Sequence, residues 1–232
     1  SVADGELSLL MEQIYNIQNR KIDLLGMDAC TMQNWEIAHV VQPYADFYLA
    51  SQDYEDFDGW NYEDSMLDLI AQPQMTTPEL GESIAFRFHQ TDDLTLSMLD
   101  LSYLSAFESE LNTLSRSIIT QQAWTEFYSS IQGSYSYDGA YGGDRDLHGI
   151  LNSLQQHSSS ELIRSQAERT QEKLEDLIIV NYINAEYVSG ANGLSIYAPP
   201  ESVWSLDESY FDTQWSENSQ WDNLIWEAYQ SR

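Results

Sequence analysis

Cys30 is the group in this chain best suited to form a covalent bond with a substrate. It is the single cysteine of the 232 residues, so it cannot form an internal disulfide. It stands near the end of residues 21–32, KIDLLGMDACTM, where an apolar run passes into a small polar step. A lone cysteine is either an apolar packing residue or a reactive thiol. A thiol at the carboxyl end of a strand, with a turn and a helix following, is placed for reactivity: it opens on a crevice, and the N-terminal dipole of the next helix favours the thiolate. Such a nucleophile can take an acyl group from a carbonyl if a base, normally histidine, manages the proton.

Four histidines could be that base. His39 lies in the helix after the cysteine, among apolar neighbours, and reads as a packing or helix-surface residue. His89, in FRFHQTDD, and His157, in a Gln/Ser-rich stretch, carry no chemical signal. His148 is followed by glycine, but GGDRDL rather than a strand precedes it, so nothing fixes it at a sheet end. The chain holds no clear partner for Cys30.

The elements that must position the thiol follow from periodicity. Apolar residues at helical spacing predict an amphipathic helix over 6–20, and KIDLLGMD predicts a strand covered on both faces. A helix over 34–41 and a strand over 46–51 complete an alternation that implies parallel pairing in an α/β sheet. The acidic, aromatic loop SQDYEDFDGWNY, residues 51–62, leaves the carboxyl end of the second strand as the cysteine leaves that of the first, and in such sheets ligands sit there. Further along, helix is expected at 63–71, a Pro-rich break at 72–78, another helix and then a strand at 94–101. One long helix is expected over 102–131, a mobile Gly/Tyr/Asp surface loop at 133–146, helices at 147–155 and 159–177, and a Trp-rich closing helix at 215–229. IIVNYINAEYV and GLSIYAP read as strands joined in a hairpin at 189–192. No repeat or linker divides the chain, so one domain is expected over 1–232.

Composition bounds the partners. With 38 acidic against 9 basic residues and a net charge of −29, the surface argues against nucleic acid and anionic membranes. It suits a solvated, saline setting or the attraction of cationic substrates. With 42% hydrophobic residues a packed core is attainable. No apolar run is long enough to span a membrane and no signal pattern is visible.

Residues 24–62, LLGMDACTMQNWEIAHVVQPYADFYLASQDYEDFDGWNY, resemble the clostripain family of cysteine peptidases, in the caspase-like clan. The matching positions include Asp28, Ala29, Cys30, Met32, Glu36, Ala45, Asp46, Ala50, Ser51, Asp58, Gly59, Trp60 and Tyr62; LSMLDLS, GLSIYAP and the closing helix also match. The resemblance implies a caspase-like α/β/α sandwich with a mainly parallel central sheet. It implies a Cys-His dyad endopeptidase that cuts after Arg or Lys, with Cys30 as nucleophile and Asp28, Asp58, Gly59, Trp60 and Ser51 as substrate-binding residues. The family's histidine precedes the cysteine and is absent from residues 1–29. Members cut themselves between the two catalytic residues, so the chain reads as the heavy chain of an auto-processed heterodimer, beginning at SVADGE. Its partner is then a light chain of the same precursor that supplies the His. Two carboxylates, Asp28 and Asp58, at one pocket would select a cationic side chain, whereas Asp28 alone could simply cap the following turn. Glu55 and Asp56 read as solvated loop charges. No metal site and no required cofactor are implied; calcium acts in some relatives, and no spaced ligand set for it is present. Protein or peptide substrates and a secreted or cell-envelope bacterial or archaeal location are expected. A non-enzymatic relative lacking the His, and a hydrolase using His148, are the competing readings.

Overall fold

The computed structural model describes residues 5–89, 94–137 and 143–232. Residues 1–4 of the opening segment, 90–93 after His89 and 138–142 of the expected Gly/Tyr/Asp loop lie outside them. The chain opens with α1 (Glu6–Gln18), β1 (Ile22–Met27), α2 (Trp35–Val41) and β2 (Ala45–Ala50). One helix between two strands returns the chain to its starting end, and β1 and β2 pair in parallel, as the alternation predicts.

The expectation of a mainly parallel sheet is not met. After β2 come α3 (Tyr62–Ala71) and α4 (Thr77–His89), then β3 (Thr95–Asp100). β3 is followed by α5 (Leu104–Gln121), α6 (Trp124–Gly133), the short β4 (Asp144–Asp146), α7 (Leu147–His157) and α8 (Glu161–Leu177), then β5 (Ile178–Ile183). An even number of helices delivers the chain to the end it left, so β2–β3 and β3–β5 are antiparallel. Among the described residues the sheet is mixed, in the order β1-β2-β3-β5.

Three other expectations change. The helix over 102–131 is broken where Gln122 adopts φ 51°. The expected hairpin does not form: β6 (Ser195–Tyr197) pairs with β4 in a second sheet. The closing segment is two helices, α9 (Gln214–Asn218) and α10 (Trp221–Gln230).

Alternating side chains of the central strands feed different cores. Tyr48, Ala50 and Leu99 join Trp35, Phe107, Leu151, Leu177 and Trp221 on one face, while Leu49, Leu96 and Met98 meet Ala85 and Phe88 of α4 on the other. β1 is the exception. It is apolar, yet none of its residues is fully buried, because among the described residues it pairs on one side only and forms the sheet edge. Beside that edge α1 leaves Leu9, Leu10 and Ile17 exposed, Ile17 at 84%. A groove of about 670 Å³ runs between α1, β1 and the start of α4, lined by Ile14, Ile22, Leu24 and Leu80.

The basic residues are confined. Arg87, Arg116, Arg145, Arg164, Arg169 and Lys173 lie within helices or strands, Arg20 and Lys21 in the turn between α1 and β1, and Arg232 at the end. Several are paired, as Arg87 is with both oxygens of Asp68 at 2.7 and 2.8 Å. No helix among the described residues is long and apolar enough to cross a membrane.

Candidate active site

β1 stops at Met27, so Asp28 and Cys30 stand in the connection to α2 rather than on the strand. Thr31 turns the chain with φ 56°, a conformation uncommon for a residue with a branched side chain. Two hydrogen bonds then zip this connection to the loop that leaves β2: Thr31 N–H to Asp53 O at 3.0 Å and Gln33 N–H to Ser51 O at 2.8 Å. The thiol joins the same seam. Glu55 N–H donates to Cys30 Sγ at 3.3 Å, and Sγ lies 3.7 Å from Glu55 O. Cys30 is half-buried, and α2 begins just beyond, capped by the Asn34 side chain accepting from Ile37 N–H at 2.8 Å.

Beneath the seam is a buried polar floor. Ser97 of β3 accepts at Oγ from Gln33 Nε2 (2.9 Å) and Gln52 Nε2 (2.5 Å) and donates to Gly193 O (2.6 Å). Ser51 Oγ and Thr95 Oγ1 are 2.7 Å apart, and Ser51 also donates to Asp53 O. In a low-dielectric interior these bonds fix both loops relative to β3, although Gln33 Oε1 and Gln52 Oε1 are buried without a partner among the described residues. Ser51 is fully buried, and its hydroxyl supports the loop from below.

Asp28 does reach the acidic loop. Its Oδ2 accepts Trp60 N–H at 3.2 Å and Tyr62 O–H at 2.7 Å. Gly59 stands between with φ +66°, and a Cβ there would lie 2.7 Å from Asp28 Oδ2, so glycine is required on both counts. Asp58, the residue before it, is exposed. Trp60 is buried, its ring against Gly26, where a Cβ would come within 2.8 Å. Glu55 is not a solvated charge: its Oε1 accepts the Trp60 indole N–H at 3.2 Å, pinning the middle of the loop that covers the thiol. An indole five residues downstream, needing an acceptor once buried, was the available signal for it. Gln33, Gln52 and Ser97 had no such signal, because only the register brings them together. Asp56 remains on the exposed turn.

The histidines lie elsewhere. His39 Nδ1 is 2.6 Å from Glu108 Oε1. His148 Nε2 faces α8, 3.1 Å from Gln171 Nε2. The His89 ring lies 5.5 Å from that of Tyr182, and His157 closes α7. Among the described residues no group of three or more His, Cys, Asp or Glu could hold a metal ion.

α2 is anchored from behind by Glu36, whose Oε1 accepts Tyr197 N–H at 3.0 Å and Tyr210 O–H at 2.9 Å. Full burial, reinforced by Asp144, raises its carboxyl from 4.5 to about 7. Between those values the folded chain holds a proton that the unfolded chain has released. Stability therefore falls as pH rises through this window, by roughly 3 kcal/mol in all, and levels off above it. Urea unfolding at pH 5 and pH 8 should show this component in the native protein and lose it in Glu36→Gln. Parallel losses in both proteins would rule it out.

A model of the Clostripain family matches residues 5–227, whereas a search of curated proteins finds no match. Among solved structures, a cysteine protease from B. fragilis superposes with TM-score 0.67 at 18% identity, covering 97% of this chain and 95% of that one. A clostripain from Bacteroides thetaiotaomicron, in complex with a peptide inhibitor, gives 0.69 at 17%, covering 91% of this chain and 93% of that one. A secreted cysteine protease of Bacteroides thetaiotaomicron, in complex with an irreversible peptide inhibitor, gives 0.65 at 19%; the match takes in 92% of this chain but only 63% of the other. At these identities the structural likeness is one of fold.

Proposed function

The chain belongs to the clostripain family of cysteine peptidases, and on that premise we propose that it is the heavy chain of an endopeptidase that cleaves after Lys or Arg, with Cys30 as nucleophile and the histidine on a separate light chain cut from the same precursor. The observation that carries this reading is the position of Cys30 at the end of an edge strand, with Asp28 beside it on the same loop.

An apolar strand with one open edge, flanked by exposed Leu9, Leu10 and Ile17, is an unfinished layer. A strand from the light chain, added alongside β1, would cover it and would end level with Cys30. A histidine at that end meets the thiol from the side the loop 51–62 leaves open. That completes a caspase-like arrangement in which no histidine of this chain takes part. The mechanism is acyl transfer. The thiolate of Cys30 attacks the scissile carbonyl, and the backbone N–H of Cys30 and that of the glycine after the light-chain histidine receive the developing oxyanion. The histidine protonates the leaving amine, a thioester remains on Sγ, and water deprotonated by the same histidine releases the acid and regenerates the thiolate. The substrate's basic side chain lies against Asp28 and Asp58, with Gly59 and Trp60 forming the wall. These steps use no cofactor, and any effect of calcium would fall outside them. The acidic surface and the secreted relative favour an exported bacterial protein.

A Lys- or Arg-ended thiol-directed probe, read by intact-mass spectrometry, tests the two-chain reading. Produced from its full precursor, the chain should co-purify with a second piece and carry the probe on Cys30; produced alone it should not be labelled. Labelling of the lone chain that His148→Ala abolishes would overturn the reading.

A further inference from the structure

Asp28 is not symmetrical. Two donors, Trp60 N–H at 3.2 Å and Tyr62 O–H at 2.7 Å, both converge on Oδ2. A carboxylate oxygen has two lone pairs, so Oδ2 is filled. Neither a hydrogen bond nor an ion pair engages Oδ1 among the described residues, and the side chain is exposed. The Tyr62 ring is itself 55% exposed and lies 6.3 Å from that of Trp60, tilted 31°. Burial of the hydroxyl, and then its bond to Asp28, raises the phenol to about 12, so near neutral pH it is a proton donor. The pocket therefore offers an incoming cation one oxygen of Asp28 and, one residue before Gly59, the separate carboxylate of Asp58.

Lysine and arginine ask for different things. A guanidinium gains most from two adjacent oxygens of one carboxylate, received by its parallel N–H fork. An ammonium is a point charge whose three donors can reach single oxygens on different groups. Resting on the proposed peptidase reading, we infer that Tyr62 is a specificity-determining residue: by occupying Oδ2 it makes Asp28 a one-oxygen acceptor and biases the pocket toward lysine over arginine. Removing the phenolic oxygen reopens one lone pair of Oδ2 to the second arm of a guanidinium.

The test is kcat/KM for two peptides that differ only in Lys or Arg before the scissile bond, measured on the enzyme made from its full precursor and on its Tyr62→Phe variant. The native enzyme should favour lysine. The variant should shift the Arg/Lys ratio toward arginine by roughly tenfold, the worth of one charge-assisted hydrogen bond. A merely structural role for Tyr62 lowers both values together and leaves the ratio fixed, which overturns the inference, as does a native preference for arginine. If Tyr62→Phe does not fold, the same ratio is read in Tyr62→Leu. A native enzyme that cuts neither peptide refutes the peptidase reading, a result distinct from a cut with an unmoved ratio.

Discussion

Replacing Cys30 by alanine should reduce peptide hydrolysis by at least about 10⁴-fold while leaving thermal stability within about 1 kcal/mol of the native protein. The thiol is the strongest nucleophile here, and its position meets the end of an edge strand. The Ser51 hydroxyl, on the adjoining loop, is buried and engaged by Thr95 and Asp53. Stability should change little because Cys30 is half-buried and its bonds run to the Glu55 backbone at 3.3 and 3.7 Å, on a loop held independently by the Trp60 indole and the Ser97 floor. The precursor of the variant should also stay uncut if processing is its own reaction. Peptide turnover and a melting curve on one preparation settle the point. Retained turnover would move the chemistry to another residue, and a melting temperature several degrees lower would make Cys30 a packing residue.

The second large effect is expected at Asp28. Changing it to asparagine keeps the shape and an oxygen able to accept Trp60 N–H and Tyr62 O–H, the bonds seen at 3.2 and 2.7 Å. It removes the charge and turns an N–H₂ toward the pocket. Losing one charge-assisted contact and gaining one misdirected donor costs a bound cation about 3 kcal/mol, or roughly 10²-fold in kcat/KM for Lys- and Arg-ended peptides. Alkylation of Cys30 by a small neutral reagent should scarcely change, since Sγ contacts Glu55 and not Asp28. If Asp28 only braced the loop, asparagine, which keeps both bracing bonds, would leave both readouts nearly unchanged, and the pocket role would have to be given up.

What the sequence carried depended on range. β1, α2 and β2 follow from local pattern and a single crossover, and the acidic loop was placed correctly against the cysteine. Strand direction beyond β2 depends on how many helices intervene, which periodicity reports poorly where two helices abut. The break at Gln122 has no glycine or asparagine to announce it. β6 is three residues long and finds β4 across some fifty residues of chain, so adjacency suggested β5 instead. In the site, Asp28, Gly59 and Trp60 were legible as a motif. Ser51 belonged to the same motif but turned inward, because a strand end alternates its faces and its register decides which hydroxyl meets Thr95. Glu55 looked like one solvated charge among several until the indole beside it was placed.

The confinement of the basic residues has a consequence for the lifetime of the enzyme. On the proposed specificity, a peptidase that cuts after Lys and Arg is surrounded, in a concentrated preparation, by copies of its own bonds of that type. Proteolysis takes an extended segment of several residues, so a bond inside a helix or strand is reached only through local opening. Six of the nine basic residues are inside such elements, whereas Arg20 and Lys21 precede bonds in the turn between α1 and β1. Those two are at the opposite end of β1 from Cys30, beyond the reach of the same molecule's thiol. Among these bonds self-digestion is thereby directed to one junction, attacked by a second molecule, and the rate of cleavage there should rise with the square of enzyme concentration.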